Sequence, residues 1–573
     1  MTEIIIKNGH VFDSVSGLKG EVADVCIKDG KIVESVGNGA TVIDAAGKTV
    51  MAGAVDVHTH VAGPKVNLGR WYRPEDKFRL GERCSAKMGP NTHIEGGFSI
   101  PTVFKTGYEY ARMGFAFLME AAMPPLYARH VHEEIRDTPI QDEAALPVFG
   151  NNWFMFEYLK NGEIDNAAAY VAWVLRQTKG YGIKCVNPGG SEAWGWGLNC
   201  MTVNDPVPYF EITPKEIIDG LIATNEHLKL PHSVHLHSNN LGNPGNYTTT
   251  LDSLKIAEGH KANNAFGRDT VLHHTHIQFH SYGGTTWADF ESKAKEVMDY
   301  VNKQENITID TGNVTLDETT TMTADGPFEY HLTALNHLKW ANVDVELETA
   351  AGVVPYIYGK NVKVCEMQWA IGLEIALYAK DMMRTMITTD HPNAGPFTRY
   401  PRVYAWLMDK EYRDAELNGF KWSSKVIDAT TLAEIDREIS LYELSQMTRA
   451  APAKVLGLGS SFGGLAPGMN ANVAVYDIDP ENLPSDPEQY EAAFTNSFAF
   501  FKDGVLAVEN NEIVNYSMPK KTVWVNSIVP ENKQVERDIR DKFLKAYTVD
   551  LENYAVFDEH VHNPYAIKVD ITQ

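Results

Sequence analysis

From about residue 53 onward, short apolar segments alternate with longer stretches of helical pattern, and this alternation limits the possible folds. Strands separated by helices pair in parallel, because a parallel connection needs a crossover. Eight such strands over roughly 400 residues predict an α/β protein built on a (β/α)8 barrel, or TIM barrel, with large insertions. The eight candidate strands are 54–60, 114–120, 146–150, 182–186, 233–237, 270–276, 306–310 and 385–389.

Short β segments with tight turns occupy both ends of the chain. The N-terminal ones are predicted at Glu3–Lys7, Val22–Lys28, Lys31–Val36 and Thr41–Asp44, and those near the C-terminus at Asn472–Asp477 and Phe500–Val514. The sequence Lys28-Asp29-Gly30-Lys31 predicts a hairpin turn, since Asp-Gly pairs favour the backbone geometry that such turns need.

These end segments predict a second, smaller unit beside the barrel. The N-terminal strands alone are too few for a stable sheet. We therefore predict one composite β-sandwich domain formed by residues 1–52 and 461–528, a barrel at 53–460 and a peripheral extension at 529–573. A separate C-terminal β domain is the alternative interpretation.

Residues with metal-binding side chains follow several of the candidate strands. His58 and His60 end the first strand, and residues i and i+2 of a strand point the same way, so both rings can bind one metal ion. In a parallel barrel, functional residues lie at the carboxyl ends of the strands. The other candidates are Lys184 in the fourth strand, His235 and His237 in the fifth, His274 and His276 in the sixth, and Asp390 after the eighth.

Each of these residues also has an ordinary structural explanation. A single lysine in a strand usually extends toward the surface, and an aspartate after a strand usually caps a helix. Taken together, however, the side chains offer nitrogen and oxygen ligands without a thiolate, which suits Zn²⁺ or a similar divalent ion. Carboxylation of Lys184 by CO₂ would supply a bridging anion and remove the cost of a buried ammonium.

This order of ligands along the strands resembles the amidohydrolase superfamily. The resemblance extends to Ile4–Gly9 and Ala23–Ile27 near the start of the chain and to Thr448–Leu458 and Gly464–Val473 near its end. It implies a site with two divalent metal ions, expected to be Zn²⁺, bridged by N6-carboxylysine at Lys184. The implied ligands are His58, His60, Lys184, His237, His276 and Asp390, with Asp390 also catalytic.

Two of these assignments choose between residues on one strand face. His235 and His237 are equivalent in direction, as are His274 and His276. We favour the later residue of each pair because it lies nearer the strand end, and His237 directly precedes a polar turn.

Composition excludes several classes of function. The formal net charge of −24 argues against nucleic-acid binding, which requires a basic surface. Five scattered cysteines without CxxC spacing argue against a disulfide framework and favour a reducing compartment. The N-terminus lacks the pattern of a signal peptide and no apolar run reaches membrane-spanning length, so we expect a cytoplasmic protein with no membrane association.

Four longer segments narrow the resemblance to one group, the amidohydrolase-type subunits of formylmethanofuran dehydrogenase. The segments are Gly89–His93, Ala193–Gly197, Asn239–Asn246 and Thr275–Gly284. The resemblance implies that the chain condenses formate with the amine of methanofuran, and catalyses the reverse hydrolysis. It also implies a partner tungsten- or molybdenum-pterin subunit, like a formate dehydrogenase, which makes the formate from CO₂, together with iron–sulfur subunits of the same complex.

Three other functions compete with this one. The chain could be the related subunit of a formyltransferase/hydrolase complex, or a free-standing cyclic amidase or deacylase of the dihydroorotase-hydantoinase type. It could also be a non-catalytic scaffold, which is disfavoured because every expected ligand position holds a competent residue.

A basic segment follows the first strand. Between residues 63 and 90 the charges sum to 7 − 3 = +4, from Lys65, Arg70, Arg73, Lys77, Arg79, Arg83 and Lys87 against Glu75, Asp76 and Glu82. One hypothesis is that Arg70 and Arg73 bind carboxylates on the substrate tail. The alternative is a structural or subunit-docking role.

Overall fold

The structure is a computed structural model, and it describes residues 3–73, 76, 97–336, 339–342, 351–484, 486–510, 512–546 and 549–572. The Gly89–His93 segment and four basic residues, Lys77, Arg79, Arg83 and Lys87, lie outside the described residues. No helix in the described ranges is both long and apolar enough to cross a membrane.

The described strands are short for the most part, and their bounds follow in chain order. They are β1 (Glu3–Asp13), β2 (Leu18–Lys28), β3 (Lys31–Val33), β4 (Thr41–Asp44), β5 (Thr49–Ala52), β6 (Ala54–Thr59), β7 (Phe115–Met123), β8 (Asp142–Pro147), β9 (Lys184–Val186), β10 (Val234–His237), β11 (Leu272–His274), β12 (Tyr282–Gly283), β13 (Glu291–Ser292), β14 (Ile307–Asp310), β15 (Glu318–Thr323), β16 (Ala341–Asn342), β17 (Gly352–Ile357), β18 (Thr385–Met386), β19 (Val473–Tyr476), β20 (Ala499–Lys502), β21 (Val505–Glu509), β22 (Glu512–Ile513), β23 (Thr522–Ile528) and β24 (Pro564–Asp570).

Helices separate most of the parallel strands, as the alternating pattern predicts. They are α1 (Pro64–Tyr72), α2 (Val103–Arg112), α3 (Ala128–Asp137), α4 (Trp153–Lys160), α5 (Ile164–Thr178), α6 (Gly190–Trp194), α7 (Pro214–Leu228), α8 (Tyr247–Lys255), α9 (Ala294–Val301), α10 (Gly326–Asn336), α11 (Lys363–Tyr378), α12 (Tyr400–Met408), α13 (Lys410–Gly419), α14 (Ser423–Ala429), α15 (Leu441–Ser445), α16 (Ala451–Val455), α17 (Pro487–Thr495), α18 (Lys533–Ala546) and α19 (Leu551–Tyr554).

Strands from the two ends of the chain form one nine-stranded sheet. The link is the antiparallel pair β5–β19, which joins Ala52 to Val473 and Thr49 to Tyr476. Alternate apolar residues of both segments, including Val50, Val473 and Phe501, pack into one cluster. This pairing is what a composite unit requires, because neither set of strands completes the sheet alone.

Two Asp-Gly turns from opposite ends of the chain lie against each other in this sheet. Asp29 and Gly30 join β2 to β3, and Asp503 and Gly504 join β20 to β21. All four residues have positive φ values, from 47° to 78°, which glycine and aspartate tolerate best. A side chain at Gly30 would lie 3.0 Å from the Asp503 carbonyl oxygen, so this close approach also requires glycine there.

Each of the eight candidate strands of the parallel unit overlaps an observed strand. Strands β6, β7 and β8 pair in parallel within one five-stranded sheet, and β9, β10, β11, β14 and β18 pair in parallel in another. Single parallel bridges join the two sets at both edges, Val148 to Lys184 and Thr59 to His391. The third strand begins and ends earlier than predicted, at Asp142–Pro147.

The C-terminal part of the chain differs from the sequence expectation. Strand β23 pairs in parallel with β24 and contacts β8 through Thr522 and Glu143, whereas the composite sheet ends at Ile513. The extension after residue 528 is also packed: Phe543 and Tyr554 contact the Trp173 ring of α5. Strand β23 and helix α18 pack against α5, and these long-range contacts are not encoded in any local sequence pattern.

Candidate metal centre

All six predicted ligand residues line one cavity. None has more than 4% of its surface exposed. They lie in or directly after β6, in β9 and β10, and in the turns that follow β11 and β18, so residues from five parallel strands meet here, as the sequence predicts. The residues are His58, His60, Lys184, His237, His276 and Asp390.

Asp390 lies between the two histidines of the first strand. Its Oδ1 atom is 3.0 Å from His58 Nε2 and 3.5 Å from His60 Nε2. The Asn393 side-chain amide donates to the same oxygen at 3.0 Å. Burial alone would raise the pKa of Asp390, but the adjacent His276 and His58 rings outweigh it, so the pKa lies well below its usual value. The carboxylate is therefore ionised, and its ligand atom is close to two imidazole nitrogens.

Lys184 is a buried amine with no hydrogen-bond partner for its Nζ atom among the described residues. Burial lowers its pKa to about 7, against the opposing effect of the Asp390 and Asp310 carboxylates. A substantial fraction of the amine is therefore uncharged near neutral pH, which is the form that reacts with electrophiles.

The other two histidines approach from strands β10 and β11. His276 has a φ of 34°, and its amide donates to Asp310 Oδ1 at 2.9 Å, which holds this turn in place. Its Nδ1 atom is buried without a hydrogen-bond partner among the described residues. His237 lies beside it, with ring centroids 4.7 Å apart, and its Nε2 atom is 3.1 Å from Asp325 Oδ2.

Two buried carboxylates that were not predicted from the sequence orient the rings. Glu120 Oε1 is 3.1 Å from His60 Nδ1, and its second oxygen accepts from the backbone amides of Val61 and Ala62. Asp325 contacts His237 in the same way. A carboxylate on one ring nitrogen leaves the other free as a ligand. Glu120 could have been found from the sequence, because it is a charged residue inside the apolar strand β7, whereas no local sequence pattern marks Asp325.

His235 and His274, the histidines that were not chosen as ligands, lie beneath the cavity. Both ring nitrogens of each have hydrogen-bond partners. His235 contacts His58 and His232 at 2.8 and 3.0 Å, and His274 contacts Ser238 Oγ and the Thr275 carbonyl oxygen at 2.9 and 3.2 Å. Neither residue lines the cavity. This geometry favours the later histidine of each pair.

The remaining cavity wall is mostly apolar. Polar atoms come from Thr321, Thr323 and Asn393, the first two on strand β15 of the insertion between β14 and β18. Such a wall excludes water and strengthens electrostatic interactions inside the cavity. Its apolar and aromatic members are Ala122, Val186, Leu241, Phe279, Phe328 and Tyr358.

The amidohydrolase family profile matches residues 41–494 of this chain. The chain is 53% identical to Protein FwdA of Methanocaldococcus jannaschii over 575 aligned positions, which cover 100% of this chain and 99% of the relative. It is 34% identical to one subunit of the formyltransferase/hydrolase complex Fhc of Methylorubrum extorquens, over 94% of both chains. The chain belongs to the amidohydrolase family.

A solved structure supports the same assignment for this amidohydrolase. One chain of the Methylorubrum extorquens formyltransferase/hydrolase complex FhcABCD, crystallised with methylofuran, superposes with a TM-score of 0.88 and 31% identity, over 99% of this chain and 100% of that one. The predicted resemblance to the amidohydrolase-type subunits of formylmethanofuran dehydrogenase is confirmed by these relatives. The chain is a metal-dependent hydrolase, which removes the scaffold hypothesis, and its family implies the use of divalent metal ions.

The basic segment of the amidohydrolase contributes internal contacts. Arg70 pairs with Glu134 at 2.9 Å and donates to the Pro101 carbonyl oxygen at 3.0 Å. Arg73 pairs with Glu318 at 2.8 Å, and its side chain is only 3% exposed. Because both guanidinium groups already bind protein carboxylates, the geometry favours the structural role over direct recognition of a substrate tail. Lys65 is buried too, and its Nζ has no hydrogen-bond partner among the described residues.

Proposed function

We propose that the six cavity residues bind two divalent metal ions, Zn²⁺ in the native protein, with Lys184 carboxylated as a bridging ligand. Buried polar atoms are normally hydrogen-bonded, so unpartnered ones need an explanation. Lys184 Nζ and His276 Nδ1 are both buried and unpartnered within the described chain, and His58 Nε2 has only the Asp390 carboxylate beside it. Imidazole and carboxylate ligands without thiolates are a donor set that fits Zn²⁺.

We also propose that the eight parallel strands form a closed (β/α)8 barrel over residues 53–460, with the composite β-sandwich domain beside it. The two single bridges, Val148–Lys184 and Thr59–His391, support closure because they connect the first and last strands of one parallel set to those of the other. A closed barrel would explain why ligands far apart in sequence meet at one end.

On this basis, we propose that the protein forms and hydrolyses the N-formyl bond of formylmethanofuran as the amidohydrolase-type subunit of formylmethanofuran dehydrogenase. The observation that carries the proposal is the full-length identity of 53% to Protein FwdA, together with a complete set of ligand residues in one cavity. The similarity to a complex crystallised with methylofuran supports a furan-bearing amine as the substrate class. A role in a formyltransferase/hydrolase complex would use the same chemistry.

The reaction requires proton movement as well as bond exchange. Condensation joins the amine nitrogen to the formate carbon and releases one formate oxygen as water, so that ammonium plus formate gives formamide plus water. Divalent ions held here would act as Lewis acids that polarise the formyl oxygen and lower the pKa of water. The other contributions to catalysis, including the movement of protons, must come from the side chains of the protein.

We propose that Asp390 moves the protons. Its Oδ1 atom faces the cavity between His58 and His60, and Asn393 fixes its orientation. In the forward direction the carboxylate would accept, one after the other, the two protons that the ammonium nitrogen loses and pass each to the departing formate oxygen, which leaves as water; hydrolysis would reverse these transfers. The apolar wall around Phe279 and Phe328 would exclude bulk water during this exchange.

Amide formation from formate is unfavourable in water, and a catalyst cannot change that equilibrium. We therefore propose that the chain works beside a tungsten- or molybdenum-pterin subunit that makes formate from CO₂, and beside iron–sulfur subunits that supply its electrons. Direct delivery of formate would raise its effective concentration at the cavity. A cytoplasmic location is part of this proposal, and the scattered cysteines support a reducing compartment.

The test is to purify the full chain with its native partners and to measure metal content and substrate preference. We expect redox subunits to co-purify, about two divalent ions per chain as two-metal sites require, and formate release from formylmethanofuran. A free-standing cyclic amidase would instead purify alone and hydrolyse hydantoins, dihydroorotate or N-acyl amino acids faster than the formyl amide. That outcome would overturn the proposed function.

A further inference from the structure

A row of three hydrogen-bonded imidazoles leads from the candidate metal centre into the protein interior. His58 Nδ1 is 2.8 Å from His235 Nε2, and His235 Nδ1 is 3.0 Å from His232 Nε2. His232 Nδ1 is 2.8 Å from the backbone carbonyl oxygen of Val455, at the end of α16. All three side chains are buried, with at most 1% of their surface exposed.

The direction of the hydrogen bond between His232 and the Val455 carbonyl is fixed. A carbonyl oxygen can only accept a hydrogen bond, so the hydrogen must be on His232 Nδ1. Burial lowers the pKa of His232 well below its usual value, and the ring is therefore neutral with a single N–H. Its Nε2 atom is left as an acceptor, and the hydrogen in the next contact belongs to His235 Nδ1.

The direction of the next hydrogen bond, between His235 and His58, follows in the same way. Both hydrogen-bond partners of His235 among the described residues are imidazoles, so no carboxylate is in contact to pair with an imidazolium, and the single N–H of the ring is the one on Nδ1. Its Nε2 atom therefore accepts, and His58 Nδ1 donates. Asp310 Oδ2, 4.0 Å from His58 Nδ1, also favours a hydrogen there.

The nearby Thr275 hydroxyl does not select a direction. It contacts His58 Nδ1, but a hydroxyl can either donate or accept, so it is compatible with both tautomers of the ring. The hydrogen bond between His58 and His235 does set the direction. With its hydrogen on Nδ1, His58 has a lone pair on Nε2, the ring nitrogen that faces Asp390.

We propose that the Val455 carbonyl, acting through His232 and His235, fixes His58 in the tautomer whose Nε2 atom can bind a metal ion. The proposal rests on the ligand role of His58 put forward above. His232 and His235 are positioning residues in this scheme, since neither lines the cavity. In this scheme His235, which lies two residues before His237 on the same strand face, has the function of orienting His58.

Zinc affinity of the full-length, metal-free protein tests this directly, by competition with a chromophoric chelator. His235→Leu removes the acceptor for His58, whereas His235→Gln can retain an acceptor toward His58 and a donor toward His232. We expect about 10- to 100-fold weaker zinc binding for His235→Leu, the usual effect of losing a ligand-orienting contact, and nearly wild-type binding for His235→Gln. His274→Leu is the matched control, because this equally buried histidine lies outside the row.

The His58 tautomer itself provides a second measurement. Nitrogen NMR of ring-labelled histidines, assigned with a His58→Ala spectrum, distinguishes the two neutral tautomers. We expect hydrogen on Nδ1 of His58 in the metal-free wild type and in His235→Gln, and a mixture or the opposite tautomer in His235→Leu.

The outcomes separate this inference from the proposed function. Wild-type protein that binds no divalent metal would overturn the metal centre itself. Wild-type protein that binds zinc, with His235→Leu equal to it or His235→Gln as weak as His235→Leu, would overturn only the tautomer relay. Should His235→Leu fail to fold, hydrogen on Nε2 of His58 in the metal-free wild type would still contradict it.

Discussion

The cavity and the layer beneath it both contain buried histidines, and they differ in how completely their polar atoms are paired. Beneath the cavity, both ring nitrogens of His232, His235 and His274 have protein partners between 2.8 and 3.2 Å away. At the cavity, His276 Nδ1 and Lys184 Nζ have no hydrogen-bond partner within the described chain. The histidines of both layers are buried to a similar extent.

This difference distinguishes the proposed ligands from the structural histidines better than composition does. An unpaired buried polar atom costs free energy, so several of them converging on one cavity indicate a missing partner such as a metal ion. The deeper histidines need no ligand because the protein already satisfies them. The variants below test whether the two layers behave differently, in order of decreasing expected effect.

Removing Lys184 should have the largest effect. Lys184→Ala deletes the proposed bridging ligand, and we expect the protein to lose most of its metal and its turnover to fall to background. Added short carboxylic acids should restore part of both, because they can occupy the vacated position. Metal analysis and formamide hydrolysis are the measurements. Lys65→Met is the control, since Lys65 is also buried and unpartnered but does not line the cavity; an unchanged Lys184→Ala protein would contradict the metal centre.

Asp390→Asn should reduce turnover while leaving much of the metal bound. Asparagine retains an oxygen ligand but cannot accept a proton at neutral pH, so we expect turnover to fall by roughly 10²-fold or more. Rate and metal content should be measured on the same preparation. Near-wild-type turnover would mean that another group moves the proton, and His391, hydrogen-bonded to the Phe397 amide, would be the next residue to examine.

The sequence predicted the parallel strands and the six residues that meet at the cavity for one physical reason. Strand ends carry local signals, such as His58 and His60 after an apolar run or a lysine inside a buried strand, and parallel topology brings those ends together. The choice of His237 over His235 also followed from position along the strand. These predictions depend on the periodicity of apolar and polar residues, which a single sequence displays.

The parts that sequence did not predict depend on long-range contacts. Asp325 reaches His237 from a loop 88 residues away, and no local pattern marks it. The pairing of β23 with β8 and β24 joins segments distant in the chain. Arg70 was open to a substrate-binding role until its Glu134 partner was known. In each case the deciding partner is set by tertiary packing.

Glu120→Gln should have a moderate effect confined to the cavity layer. The carboxylate fixes the His60 ring through Nδ1, and loss of such a contact typically weakens metal binding by about 10- to 100-fold. Chelator competition measures the change. Asp56→Asn is the comparison, a buried carboxyl on the same strand as His58 that accepts from Tyr110, Tyr400 and the His58 backbone amide but contacts no imidazole ring. Equal losses in both variants would indicate a general effect on folding.

The smallest expected effect is on the pH dependence of stability in the deeper layer. Burial lowers the pKa of His274 to about 3, below the usual value near 6.5, so the unfolded chain binds more protons than the folded one between these values. Stability is therefore complete above about pH 6.5 and falls with decreasing pH, by about 1.4 kcal/mol per pH unit for this ring. His274→Gln removes that contribution, so its metal-free form should lose less stability than wild type between pH 6.5 and 5.5. Urea unfolding midpoints at the two pH values provide the measurement, and parallel losses would show that His274 is not a neutral, fully paired ring.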